Sequence, residues 1–571
     1  MADFFRTFFA VIFAILFLIF VPVSVLVVTS IFAETGPRPD SWLTIGLEGP
    51  LLEHYPPTTL RDFFEDPPPC LMEITENLEK AAADHRIRGV LFRLEDFSAG
   101  PGKIDEIRAG IHAVRAAGKP VYAYASWLLD PGVHLASACD STFLFPKGRV
   151  FLLGRGATLE HVKRTLDKLG VNEQFVATGE HKSAVELFTA DTSSTASLEN
   201  VRWVLEDLDA SCDSTVAADR GLEKEALVEL RRRAILRADE AQAEGLVDEL
   251  IWFDELRDRL RGHHQHWRTI SSQEYAKVDR AAAGLGGGAK IAVVHAQGFV
   301  AVDGDDRWDG VNGLTLGPDR VVDDLREVWE DDDVRAVILR WDTGGGSTDG
   351  SMRIARAVAR TRGEKPVVVS IADVAASGGY MMSHPANRIV CPASGITGSI
   401  GQLIGKFNVR GLWEKLGVTF DDVAMSPSAF LFSPLHDWSE EQLARITEDN
   451  WTTYREWVEE IAAARGLTFD EVDSVAQGRV WTGRQAAERR LVDATGGFAE
   501  ALAEARRLSD LDEDEPVTIV HYPVRKSPFE LLLEGDLEVA VTSDVARAAR
   551  EALLPRFSVP GSLAFEPFRP R

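Results

Sequence analysis

Residues 365–383 read KPVVVSIADVAASGGYMMS, and residues 119–137 read KPVYAYASWLLDPGVHLAS. Each opens with Lys-Pro, runs through apolar and small residues, and turns at a glycine into a second apolar stretch. That pattern is a buried strand passing into a helix. Matches continue along the chain at an offset of about 247 residues. ADHRIRGVLFRLED (83–96) mirrors DDDVRAVILRWDT (331–343), and LDKLGV (166–171) mirrors LWEKLGV (412–418). AQAEGLVDEL (241–250) mirrors AAERRLVDAT (486–495). Collinear matches at one offset mark a duplicated domain rather than a solenoid of short repeats.

Within the second copy, Ile291–Val294, Ala336–Leu339, Val367–Ile371 and Ile389–Val390 read as strands. Val321–Trp329, Ser351–Arg360 and Val409–Leu416 read as helices. Short buried strands alternating with helices predict βαβ units and a largely parallel sheet. The fold class is therefore α/β, as two tandem domains. The expected order is an anchor and short linker at 1–41, a first domain at 42–262 and a connector at 263–288. A second domain at 289–523 and a proline-containing tail at 524–571 follow. The connector contains AAAGLGGGAK (281–290), whose glycines suit a flexible join. No Gly-Lys-Ser/Thr closes it, so a phosphate loop is excluded.

The 571 residues carry 62 basic and 89 acidic side chains, a net charge of −27. A field of that sign repels phosphate backbones, so no nucleic-acid partner is expected. Four scattered cysteines, Cys70, Cys139, Cys212 and Cys391, fit buried thiols better than a disulfide framework or a zinc site. From Phe8 to Ala33 there is no charged residue. A run of that length spans a bilayer as a helix, and no good small-x-small cleavage site ends it. An uncleaved, single-pass anchor is expected, with a cytoplasmic N-terminus and the bulk of the chain exported.

The two copies differ where chemistry is expected. The second carries VAASGGY, with Ser377 at a strand-to-helix junction before Gly378 and Gly379. Amides there can stabilise an oxyanion, and DTGGGST (342–348) offers further amides after a strand. The first copy has Pro131 at the serine position, and EDFSAGPGK (95–103) replaces the glycine cluster. It carries TGEHKSAVE instead, with Lys182, where the second copy has Ala429. One copy holds a serine without the lysine, and the other a lysine without the serine. A desolvated lysine loses its proton readily and can then deprotonate a serine. His384 lies two helical turns from Ser377, too far to serve as its base. His181 stays open as an alternative base. A Gly-x-Ser-x-Gly elbow is absent.

Taken together, the anchor, the duplication, GEHKSAVE, VAASGGYMMS, GITGSIG and VAQGRVWTG resemble the long, tandem-domain form of bacterial signal peptide peptidase A. The resemblance spans the chain from the anchor to about residue 520 and implies ClpP/crotonase-like domains. It implies a serine endopeptidase in the bacterial inner (cytoplasmic) membrane, facing the periplasm, that degrades remnant signal peptides. It also implies a Ser-Lys dyad, no cofactor or metal, and a homotetramer. By motif, Ser377 is implied as nucleophile, Lys182 as general base and Ser399 as the residue that orients the lysine. Gly378, Gly345 and Gly346 are implied as the oxyanion hole. Two departures stand out: His181 replaces a tyrosine, and Asp342-Thr343-Gly344 replaces Asn-Ser-Pro. Competing classes are a non-catalytic peptide-binding scaffold and an acyl-CoA enzyme of related fold. CoA is cytoplasmic, which disfavours the latter for an exported chain.

Overall fold

The computed structural model describes residues 36–55, 70–309, 313–512 and 515–524. The expected membrane-spanning run Phe8–Ala33, within the anchor and linker at 1–41, and nearly all of the tail lie outside the described residues. Among the described residues, no helix is long and apolar enough to cross a membrane.

The duplication appears strand by strand. In the first half, Val121–Leu128, Ile87–Ser98 and Ser41–Pro50 lie side by side in parallel, with Thr269–Ser271 beyond. In the second, Val367–Ala376, Val334–Thr343 and Ala289–Gln297 repeat the order, with Val517–Tyr522 beyond. The glycine-containing connector thus supplies a strand and the short helix Ser272–Ala276, which buries Tyr275, before the chain crosses over.

Helices cover the sheets because both strand faces are apolar. In Val334–Thr343 nearly every residue is buried, as expected of a central parallel strand. Helix Pro318–Glu330 turns Val321, Leu325 and Val328 inward, one face at helical spacing. Each such side chain contributes roughly 1.5–3 kcal/mol on burial. Helix Leu71–Ala83 does the same in the first half with Leu71, Ile74, Leu78 and Ala81. All four cysteines are free and buried.

An antiparallel pair joins the halves, Asn172–Ala177 from the first against Leu403–Asn408 from the second. The long first-half helix Thr195–Arg220 adds a second seam. Asn200 exchanges two hydrogen bonds with the backbone of Val480, and Thr482 donates to Asp207. These seams deliver first-half residues to the end of the second-half sheet.

Candidate active site

Strand Val367–Ala376 ends beside Ile396–Gly398, and the Ser377 amide donates to the Gly398 carbonyl at 2.9 Å. The chain then turns at once into the helix Gly378–Ser383. Ser377 makes that turn at φ +53°, ψ −116°, a conformation that costs a non-glycine residue on the order of 1–3 kcal/mol. Strain of this kind, held by the flanking strand pairing, presents the hydroxyl at the sheet end.

Lys182 arrives on the arm that follows Asn172–Ala177. The His181 amide donates to the Gln477 carbonyl at 2.8 Å, and Gly478 leaves room for the lysine backbone. A Cβ on Gly478 would stand 2.3 Å from the Lys182 nitrogen. The Ser399 amide donates to the Arg479 carbonyl at 2.7 Å. The Gln477-Gly478-Arg479 stretch of VAQGRVWTG is thus the bracket that holds both the lysine arm and Ser399. In the sequence alone this motif carries only the family resemblance.

The result is a three-way contact. Lys182 Nζ lies 3.0 Å from Ser377 Oγ, 3.0 Å from Ser399 Oγ and 2.8 Å from the Ser399 carbonyl oxygen. Burial pushes the Lys182 ammonium from 10.5 down to about 7, with no carboxylate to oppose it. A neutral amine has two N–H donors and one lone pair. The Ser399 carbonyl can only accept, and Ser399 Oγ can accept the second N–H. The lone pair is then left for the Ser377 hydroxyl proton.

His181, the open alternative, is turned elsewhere. Its Nε2 contacts the Arg479 guanidinium, and burial followed by that charge lowers its pKa. His384 lies beside Glu460 at 3.7 Å, and burial pushes it down to about 4.

The glycine loop lies against Ser377. A Cβ on Gly345 would stand 2.5 Å from the Gly378 nitrogen, and one on Gly378 3.2 Å from the Gly346 nitrogen. The expectation that Gly345 donates to an oxyanion needs correction. Its amide is given to Thr343 Oγ1 at 3.0 Å, and that hydroxyl donates to the Gly298 carbonyl. Gly345, at φ +96°, shapes the turn instead. The Gly346 and Gly378 amides meet no acceptor among the described residues and border the same space. Two amides converging beside a hydroxyl can hold a developing oxyanion. Among the described residues, no group of His, Cys, Asp and Glu is arranged to hold a metal ion.

A model of peptidase family S49 matches residues 113–266 and again 359–512. Protease 4 of Salmonella typhi is 33% identical over 476 residues, covering 79% of this chain and 75% of that protein. The chloroplastic serine protease SPPA of Arabidopsis thaliana is 29% identical over 478 residues, covering 81% and 69%. A ClpP1 mutant from Listeria monocytogenes, a solved structure, aligns at 10% identity and a TM-score of 0.24 over 37% of this chain and 94% of its own. The two S49 matches fall one in each half of the duplicated fold, and the relatives run through both halves. The chain therefore belongs to peptidase family S49 and is a serine protease of the signal peptide peptidase A type.

Proposed function

We propose that Ser377 and Lys182 form a catalytic dyad split between the halves, and that it cleaves extended apolar peptides, remnant signal peptides among them. The observation that carries this is the Lys182 Nζ to Ser377 Oγ contact of 3.0 Å, at an amine that burial has brought near neutrality. Neutral Lys182 takes the Ser377 proton as Oγ attacks the peptide carbonyl. The Gly346 and Gly378 amides receive the oxyanion, each contributing about 3–4 kcal/mol at the transition state. The lysine then hands its proton to the leaving amine; in the second half-reaction the Lys182 amine takes a proton from water as it attacks the acyl carbon, and returns it to Ser377 Oγ as the acyl–oxygen bond breaks. Ser399 orients the amine, and Thr343 holds Gly345 in the turn. No cofactor enters these steps.

The uncharged stretch Phe8–Ala33 supports a single-pass anchor in the inner membrane, with the two domains on the periplasmic side. Signal peptides carry apolar cores, so a protease tethered there meets them where they remain after processing. The domains are taken as 42–262 and 289–523, the first extended by the strand and helix at 269–276.

The internal duplication also supports assembly. The lysine arm of the first half docks on Leu403–Asn408 of the second. Its second-half counterpart around residues 419–432 leaves Val423, Met425 and Phe432 exposed at 85%, 97% and 75%. A second copy, offering the corresponding first-half stretch near residues 157–162, would cover them. Repeating that step head to tail closes a ring, and a homotetramer is the size implied by the family resemblance.

The test is cleavage of a quenched apolar signal-peptide substrate by the detergent-purified full chain. Wild type should cleave it, and Ser377→Ala and Lys182→Ala should not while remaining folded. Near-normal turnover in Lys182→Ala would overturn the dyad.

A further inference from the structure

Lys103 belongs to EDFSAGPGK, the first-half counterpart of the second half's glycine loop. The split dyad leaves this segment without a task. Its location supplies one. Helix Pro101–Ala116 points its start at the second half, where the Gly100 and Lys103 amides both donate to the Asp373 carboxylate at 3.0 Å. A Cβ on Gly100 would lie within 2.3 Å of that carboxylate, and one on Gly102 2.5 Å from the Ala372 carbonyl oxygen. Both glycines are therefore required by the close approach. The Lys103 ammonium sits 2.7 Å from Asp342, 3.5 Å from Asp373 and 3.1 Å from the Leu51 carbonyl oxygen.

Both acids stand on segments that lead into the reacting groups. Asp342 immediately precedes Thr343, whose hydroxyl holds the Gly345 amide. Asp373 lies on the strand Val367–Ala376 that leads into Ser377, four residues before it. Beside them, Arg340 is fully buried against Glu53 and Glu106 of the first half, so the cluster is crowded with acids. Lys103 shares this cluster's cationic side with Arg340 alone among the side chains named. Its burial would by itself strip the proton, but Asp342 and Asp373 outweigh that and hold the ammonium.

We propose that Lys103 is a positioning residue: the first half's altered glycine segment is a latch that fixes Asp342 and Asp373, and through them the oxyanion loop and the Ser377 strand. The inference rests on the dyad reading above. In that reading the first half supplies two buried lysines of opposite task. One surrounded by hydroxyls acts as the base, and one between carboxylates acts as a fixed cation.

The experiment compares wild type, Lys103→Met and the double variant Lys103→Met with Asp342→Asn, on the same quenched peptide, with thermal melts of each. Removing a whole oxyanion donor lowers kcat by about 10²–10³-fold, so loosening the loop should lower it roughly 10–100-fold with KM within about twofold. Asp342→Asn removes the carboxylate that Lys103→Met leaves uncompensated, so the double variant should regain stability yet keep the roughly 10–100-fold loss of kcat, because the contact that fixes the loop is still missing. A kcat in Lys103→Met equal to wild type overturns the proposal. So does recovery of near-wild-type kcat in the double variant, since the contact is absent there too. Should Lys103→Met fail to fold, the double variant is read alone, where an about tenfold or greater loss of kcat with KM near wild type supports the latch and near-wild-type kcat overturns it. Absence of Ser377-dependent cleavage in wild type sinks the underlying dyad instead.

Discussion

Replacing Lys182 with methionine should stabilise this protein at neutral pH while ending its chemistry. The amine is buried with two hydroxyls and a carbonyl, and burial moves it from 10.5 to about 7. In the unfolded chain the lysine keeps its proton up to about pH 10.5. In the folded chain it releases it near pH 7. Between those limits the unfolded state binds more protons, so stability rises with pH across that window. The cost is full below about pH 7, where the gap amounts to ~4–5 kcal/mol. It has fallen to ~2 kcal/mol at pH 9 and is gone above about pH 11. Methionine fills similar space without a charge, so it removes this cost. It also leaves the buried Ser399 carbonyl without a donor, a loss of ~1–3 kcal/mol that does not vary with pH. Subtracting one pH from the other cancels that loss. Relative to wild type, Lys182→Met should gain about 2 kcal/mol more at pH 7 than at pH 9. Urea unfolding of the full chain in detergent, followed by tryptophan fluorescence at both pH values, measures it. An identical difference at pH 7 and pH 9 would refute the claim that the folded protein holds this lysine neutral.

Three further outcomes are expected. The wild-type kcat/KM for an apolar peptide should climb as pH rises through about 7 and level off above it, as a base of that pKa requires; a profile flat from pH 6 to 9 counts against it. Gly345→Ala should cut kcat by at least ~10²-fold, because the new Cβ lands on the Gly378 amide at a backbone φ of +96°; unchanged turnover would show that the loop is not built as described. Met425→Glu with Phe432→Glu should lower the mass measured by light scattering, since charged side chains oppose burial of that arm by a second copy. An unchanged mass would place the contact between copies elsewhere.

Much of this was legible in the residues. The duplication predicts the paired sheets, and the alternation of short apolar runs with helical spacing predicts which segments are strands. Ser377 and Lys182 stand out because one copy has what the other lacks, and Ser399 only through the family resemblance; the Lys182 amine lies 3.0 Å from both serine hydroxyls. What stayed hidden depends on contacts that residue type does not encode. Nothing in Thr343 announces that its hydroxyl takes the Gly345 amide; that follows from the turn bringing an acceptor within reach. His181 looks as basic as its neighbour, yet packing turns its ring to Arg479, nearly three hundred positions away in sequence. Lys103 and Asp342 are likewise distant in sequence, and each alone reads as an ordinary surface charge until the helix start is laid on the strand.

Those two lysines carry the argument about why the halves must stay together. Both are buried at the same seam, and burial alone disfavours the charge on each. The seam decides the outcome by what it sets opposite them. Carboxylates keep the Lys103 proton, whereas the hydroxyls and carbonyl around Lys182 leave it free to depart. Neither state belongs to a half in isolation, because Asp342, Asp373, Ser377 and Ser399 all come from the second half. Separated, Lys182 would be solvated and charged like any surface lysine, and Ser377 would lose the base proposed for it. A protease whose nucleophile and base are folded into one domain can act as soon as that domain folds. In the proposed dyad, hydrolysis waits until both copies of the duplicated domain have folded and docked, since each copy holds only one of the two partners.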